Sequence, residues 1–353
     1  MGETEYSSIE QFRQIKKQIR GSKEYLIVGI DVAKEKHYAF FATATGKTLL
    51  SRLVFENRRE GFDELLFQAE ALRRQHGLTR VVFGLEPTAN YHKPLGEFLI
   101  RSRQTAVLVS GNAVKRNREL LDGRWDKHDL KDAANVADLI SQGKCLFYDH
   151  PGEGLRELRS LISFKRRLKK HEHGSKARIR NHLIAQYFPE LDRFAGYGEG
   201  LAIVRWCLSP QAIRQMGCRE FVRMVGSRNG GHRQRRRLQL IWDKAGESIG
   251  CATGEALAFE AQLMVERLIQ TQEAIRVTDE KIKERCIRFP EYTHLLSIPG
   301  FGPDVSAKVL AAIGNPFRFE SAKQVLKLAG LDLSAQRSGK RSGGAIPVLS
   351  KKG

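Results

Sequence analysis

A chain of 353 residues with 41% hydrophobic content is long enough for two packed domains or more. Its 60 lysines and arginines against 40 aspartates and glutamates leave a formal charge of +20. That charge points to a polyanionic partner, nucleic acid first, because neutralising phosphates supplies most non-specific affinity. No window approaches the roughly 20 apolar residues of a bilayer span, and the first residues lack the apolar core of a signal peptide. Membrane insertion and export are set aside, so the expected location is the cytoplasm, at the nucleoid. Cys145, Cys207, Cys218, Cys251 and Cys286 show neither CxxC nor zinc spacing and read as reduced thiols, mostly core filler.

Residues 1–24 read as a polar, basic arm with room for one short helix. YLIVGIDVA from Tyr25, HYAFFATAT and KTLLSRLVFE are three strands in close succession, an antiparallel meander with a turn at Gly46-Lys47. A helix follows over Gly61–His76, with Phe62, Leu65, Leu66, Ala69 and Leu72 on one face. RVVFGLE is a buried strand ending at Glu86. A helix over Lys93–Ser102, a strand TAVLVS and helices over Asn112–Leu121 and Leu130–Gln142 complete the region. Three strands and then alternating helix and strand is the order of an α/β ribonuclease-H-like domain, over 25–150.

Beyond Pro151 the strands stop, and 151–290 is expected to be a basic, all-α region with a coiled-coil segment. Residues 155–186 are helical and carry Lys165, Arg166, Arg167, Lys169, Lys170, Lys176, Arg178 and Arg180. Residues 196–254 are glycine-rich and read as irregular, with Arg233, Arg235, Arg236 and Arg237 clustered in GHRQRRRLQL. From Leu257 a four-and-three spacing runs through Ala261, Met264, Leu268, Thr271, Ile275, Thr278 and Ile282. It fits a coiled-coil seam and an amphipathic bundle helix equally well. Residues 291–353 form a last region, helical over 291–333 and rich in Gly, Ser and Lys over its last twenty residues.

Four acids stand out. Asp31 ends the first strand, Glu86 ends the fourth, and Asp129 and Asp132 lie three apart at a helix start, on one face. Singly, Asp129 reads as an N-cap and Asp132 as a first-turn acid favoured by the helix dipole. Together, at neighbouring strand ends of a chain charged +20, they read as a carboxylate site. Hard oxygen donors of this kind suit Mg²⁺ or Mn²⁺, which in pairs stabilise the attacking and leaving oxygens of a phosphoryl displacement.

These residues lie in GIDVAKEKH, GLEPTANYH and KHDLKDA. With NHLIAQYFPEL in mid-chain and LLSIPGFGPDVSAKVLAAIGNPFRFESAKQVLKLAGLDLSAQRSGKRSGG near the end, they resemble the DEDD transposases of bacterial insertion sequences. The likeness is to the IS-one-ten type, which includes pilin-gene invertases. It runs from Val28 to Gly353 and is least distinctive over 195–290. The resemblance implies a RuvC-like catalytic domain with Asp31, Glu86, Asp129 and Asp132 as its acids. It implies a helical C-terminal transposase domain whose Ser-Gly pair, here Ser338-Gly339, carries a catalytic serine. It also implies a structured guide RNA pairing with donor and target DNA, and homodimers that assemble into tetramers. Family members continue past the final SK-x-G, whereas this sequence stops at Gly353, so a truncated C-terminal domain is expected.

A serine needs a proton acceptor or a polarised target before it is a nucleophile, and no histidine is near Ser338 in sequence. Delivery of Ser338 into the acidic site is the economical arrangement, with Ser334 and Ser342 as the next candidates. Arg337 and Lys340 offer charge to the same phosphate, and Gly339 allows close backbone approach. By residue type alone, QRSGKRSGG reads as a flexible phosphate-binding loop; the resemblance turns it into a catalytic one. Gly300 and Gly302 in IPGFGP resemble a helix-hairpin-helix turn that binds phosphate through backbone N–H groups, or form a tight turn without a ligand. Lys165, Arg166, Arg167, Lys169, Lys170, Arg178 and the arginines at 233 and 235–237 are candidate nucleic-acid contacts. Tyr187, Phe188 and Trp242 nearby are either base-stacking partners or core. Two other functions fit parts of the pattern: a junction-cutting, RuvC-like endonuclease using water, and a binding protein with a decayed site.

Overall fold

The computed structural model describes residues 3–122, 129–194, 198–207, 209–227, 230–331, 333–334 and 348–349. The chain divides into two compact units, Met1–Gly152 together with Asn315–Gly353, and Glu153–Gly314.

The first unit opens with helix α1 (Glu3–Gln18). It falls within the arm expected over 1–24, which had room for one short helix, and its apolar face is buried. Ile9, Ile15 and Ile19 are buried, the last completely, and Ile15, Ile19 and Phe12 pack with Tyr25, Ile27 and Ile140. Strands β1 (Tyr25–Asp31), β2 (Lys36–Thr43) and β3 (Thr48–Glu56) follow as the antiparallel meander expected from three strands in close succession. Helix α2 (Arg59–Gln75) leads into β4 (Arg80–Leu85), α3 (His92–Arg101) and β5 (Thr105–Leu108). Helices α4 (Gly111–Asp122) and α5 (Asp129–Ser141) precede a two-residue strand, β6 (Leu146–Phe147), too short to leave a periodic signal.

The six strands form one mixed sheet in the order β3-β2-β1-β4-β5-β6, with β1, β4 and β5 parallel. Period-two alternation sorts its two faces. Leu26, Val28, Ile30, Phe83 and Leu85 face Phe62, Leu65, Leu95 and Leu99 of α2 and α3. Tyr25, Ile27, Val82 and Val107 face Val136, Ala137 and Ile140 of α5, with α1 and α4 alongside.

The second unit is helical. Helix α6 (Glu153–Arg178) runs through a π-helical turn, Ile179–Ile184, into α7 (Ala185–Tyr187) and a 3₁₀ segment, Pro189–Phe194. Then come α8 (Gly198–Cys207), α9 (Pro210–Gln215), α10 (Cys218–Val225) and α11 (His232–Ala245). Residues 196–254 are therefore not irregular as expected. Gly217, Gly226 and Gly231 sit at helix caps, so the glycines punctuate short helices without dissolving them. Phe221, Leu238 and Ile241 supply the buried face.

Helix α12 (Glu255–Cys286) buries Ala261, Val265, Leu268, Ile275, Thr278 and Ile282, and packs on α6 and α8 inside the unit. The two threonines of the seam are accommodated because Thr271 and Thr278 donate to the carbonyls of Arg267 and Ala274, at 2.7 and 2.6 Å. Helices α13 (Pro290–Leu296) and α14 (Pro303–Ile313) close a second core with Leu155, Leu158 and Ile282. After Gly314 the chain rejoins the sheet unit through a 3₁₀ turn, Pro316–Arg318, α15 (Ala322–Leu328) and the paired strands β7 (Leu333–Ser334) and β8 (Val348–Leu349). Arg318 meets Asp149 at 2.8 Å and Arg13 meets Glu320 at 3.2 Å.

Candidate active site

The parallel strands β1 and β4 run in register, Gly29 opposite Gly84 and Ile30 opposite Leu85, and the Glu86 N–H continues the ladder to the Ile30 carbonyl at 3.3 Å. Asp31 and Glu86 thus emerge at the same sheet edge. Each lies two residues beyond a glycine of the register pair, so both project to the face that α5 covers.

Those glycines set how near α5 comes. A Cβ on Gly29 would lie 2.2 Å from the Ala133 carbonyl oxygen and 2.5 Å from the Ala137 nitrogen; on Gly84 it would overlap Ile140. No side chain fits between helix backbone and strand. Asp132, next to Ala133, is consequently held at the sheet and is 2% exposed. Asp129 is the first residue of α5, one turn from Asp132; its side chain lies outside the described residues. Glu86 has a close neighbour of its own, since a Cβ on Gly111, the first residue of α4, would lie 2.8 Å from Glu86 Oε1.

Among the described residues no three His, Cys, Asp or Glu side chains are gathered closely enough to hold a metal ion. The donor set of Asp31, Glu86 and Asp132 is purely carboxylate, which fits a hard divalent cation by its chemistry. Asp129 is the fourth such donor in the sequence.

Two polar arrangements near these acids are not evident from residue order. Asn117 of α4 donates to Asn135 at 3.1 Å and to Asp138 at 2.8 Å on α5, while Gln142 also donates to Asp138, at 2.8 Å. The network ties the acid-bearing helix to its neighbour, and nothing in residue spacing announces it. On the other side, His37 is fully buried against Phe55 and Phe62, and its Nδ1 accepts the Ala33 N–H at 3.2 Å. Burial holds the imidazole pKa below its ordinary value, against a smaller opposing influence of Asn57. A histidine at an inward position of an alternating strand is the signal that could have found it.

The candidate nucleic-acid contacts fall into two groups. Lys165 is bound to Asp279 and Asp304, both at 2.6 Å. Lys169 pairs with Glu172, Arg178 with Glu260 and Arg237 with Glu199. Arg167 lies over the Phe164 ring. By contrast Arg166, Lys170, Arg233, Arg235 and Arg236 are exposed. None of these five has an acidic partner among the described residues. Phe188 is fully buried, and Trp242 donates to the Met216 carbonyl at 3.0 Å with Arg214 over its ring. Those two aromatics belong to the core, as does the half-buried Tyr187 packed against it. Gly300, with φ of 86°, and Gly302 form the turn between α13 and α14, and open space surrounds both. Ser338, Arg337, Gly339 and Lys340, with Ser342, lie outside the described residues. The backbone of Ser334 lies in β7. No described helix is long and apolar enough to cross a membrane.

A mixed α/β sheet whose paired strands β1 and β4 lead into Asp31 and Glu86, in a chain charged +20, is consistent with a protein of the DEDD nuclease-like class. Comparison with known proteins makes this particular. Residues 28–189 match the DEDD_Tnp_IS110 transposase model, and 292–352 match the transposase model of the IS116/IS110/IS902 family. The 44.8 kDa protein of insertion element IS116 from Streptomyces clavuligerus is 24% identical over 90% of this chain and 78% of its own length. The 43.6 kDa protein of insertion element IS110 from Streptomyces coelicolor is 26% identical over 89% and 77%. The 42 kDa protein of IS900 from Mycobacterium paratuberculosis is 28% identical over 89% and 79%. The chain belongs to the IS110 family of insertion-element transposases.

Proposed function

We propose that this transposase cuts and rejoins DNA strands at the acidic edge of a ribonuclease-H-like domain, with Ser338 as nucleophile and a structured RNA as guide. What supports the reading is that Asp31 and Glu86 follow the paired strands β1 and β4 on the side that α5 covers, and that Asp132 is buried on α5 where Gly29 lets helix and strand approach. Asp31, Glu86, Asp129 and Asp132 would hold Mg²⁺ or Mn²⁺, which supplies charge stabilisation to the reacting phosphate. The carboxylates orient that phosphate; the Ser338 oxygen forms a bond to phosphorus, the bond to the 3′ oxygen breaks, and the proton passes to the departing 3′-hydroxyl. The product is a 5′-phosphoserine link, and its reversal rejoins DNA without ATP.

Arg337, Gly339 and Lys340 contact the same phosphate. Arg166, Lys170, Arg233, Arg235 and Arg236 contact nucleic-acid backbone, and the Gly300–Gly302 turn offers N–H groups to it. Donor and target DNA, the guide RNA, and dimers that pair into tetramers are the proposed partners. The test is a denaturing gel of the protein mixed with Mg²⁺, labelled element-end DNA, a target duplex and RNA transcribed from the element's ends. A labelled protein band, lost in both Ser338→Ala and Asp31→Ala, is expected. Free cleaved ends that persist in Ser338→Ala overturn the serine in favour of water as nucleophile.

A further inference from the structure

We propose that Lys34 is a phosphate-binding residue of the acidic site, and that His37 and Asn57 are positioning residues that hold its loop. The inference rests on the functional reading above. Residues 32–35 join β1 to β2 immediately beyond Asp31. A short surface loop ordinarily leaves its peptide groups to water, but here three successive residues are tied. The Ala33 N–H donates to His37 Nδ1 at 3.2 Å, Asn57 Nδ2 donates to the Lys34 carbonyl at 3.0 Å, and the Asn57 N–H donates to the Glu35 carbonyl at 2.8 Å.

The histidine is a costly way to make such a tie. Its ring is 0% exposed, and Nε2 makes no hydrogen bond of ordinary geometry. A buried polar atom without a partner destabilises the fold, and phenylalanine would fill the space between Phe55 and Phe62 without that penalty. What phenylalanine lacks is an acceptor for Ala33. Because Nδ1 accepts, the imidazole is neutral with its proton on Nε2.

The loop so fixed carries an exposed cation three residues beyond Asp31. Lys34 has no anionic partner among the described residues. A lysine whose backbone is anchored and whose ammonium is uncommitted, in the loop that leaves β1 at Asp31, suits an anion drawn to the acidic site once cations occupy it. The phosphodiester backbone of the nucleic acid under reaction is that anion, and the compact ammonium meets it as a point charge.

The experiment uses the full chain, a labelled duplex carrying the element's end, and the cleavage mixture described above. Lys34→Ala is expected to lower the slope of log K against log salt by about 0.9, one phosphate's worth, and to slow cleavage about tenfold. Lys34→Arg restores both. His37→Phe is expected to keep or raise the melting temperature and yet to reproduce the Lys34→Ala defects. The double variant Lys34→Ala/His37→Phe is no worse than either alone, because one interaction is removed twice. Wild-type slope and cleavage in Lys34→Ala overturn the proposal, and additive losses in the double variant overturn the positioning role. Asp31→Asn runs alongside. If it is inactive while Lys34→Ala is silent, only this inference falls; if it cleaves normally, the acidic-site reading falls and takes this one with it.

Discussion

Gly29 in the sheet unit and Gly174 in the helical unit show two uses of the same residue. At Gly29 a Cβ would meet the backbone of α5 at 2.2 and 2.5 Å, whereas at Gly174, inside α6, it would meet nothing within 4 Å. The charges of the two units differ in the same sense. The acids of the sheet unit sit where strand ends and a closely packed helix put them. The cations of the helical unit lie along helices, some locked into ion pairs and some open to solvent. A site built on strand ends depends on backbone approach; a basic surface on helices depends mainly on which side chains lack partners.

The largest effect expected from this contrast is at the carboxylates. Asp31→Asn should lower strand cleavage by about a thousandfold or more while leaving the melting temperature near wild type, since a charge-stabilising group is removed from the reaction. Normal cleavage by this variant would remove the acidic edge from the mechanism. Next comes the packing beneath it. Gly29→Ala forces a methyl into helix backbone and should cost about 3 kcal/mol in urea unfolding, with cleavage abolished as α5 moves. An unchanged midpoint would mean that the strand and α5 are less tightly matched.

The helical unit should respond by residue. Replacing Arg233, Arg235 and Arg236 with alanine should reduce the salt slope of DNA or RNA binding by about 0.9 for each phosphate no longer neutralised. Lys165→Ala should leave the slope alone and lower stability instead, because Asp279 and Asp304 lose their shared partner. The reverse pattern would exchange the structural and the binding cation. A smaller effect, of opposite sign to Gly29→Ala, is expected at Gly174→Ala. Alanine in an open helix interior should stabilise by about 0.5–1 kcal/mol, read as a raised urea midpoint.

The smallest effect is a matter of pH. Hydrogen bonds from Lys176 and Lys169 hold the Glu172 carboxyl at about 2, against an ordinary 4.5. A depressed folded-state pKa contributes stability that is complete above the unfolded value and is lost as pH falls from 4.5 towards 2. Glu172→Gln should therefore flatten the acid limb of the stability curve over that window. An acid limb identical to wild type would show that the two lysines do not stabilise the carboxylate in solution.

Much of this architecture was legible in residue order. The apolar run YLIVGID and the segment HYAFFATAT close behind it located β1 and β2, and the spacing of Phe62, Leu65, Ala69 and Leu72 located α2. Ile9, Phe12, Ile15 and Ile19 carry a helical apolar spacing that the net basic character of the first residues obscured. The glycines of 196–254 misled for a local reason: propensity reads Gly as a breaker, and here it breaks only at helix ends, while Phe221, Leu238 and Ile241 stabilise the helices between through tertiary burial.

The site divides along the same line. By itself the sequence indicated that Asp31 and Glu86 come at strand ends, that Asp129 and Asp132 lie three apart at a helix start, and that the chain is strongly basic. These are properties of neighbours in the chain, set by local period and composition. Only the tertiary structure decided that Gly29 stands opposite Gly84, that Ala133 rests on Gly29 with Asp132 buried beside it, and that Lys165 is bound while Arg235 is open. Those facts depend on strand register, on the distance between a helix and a sheet, and on which distant side chains meet. Such pairings join residues up to 139 positions apart, where no local period carries the information.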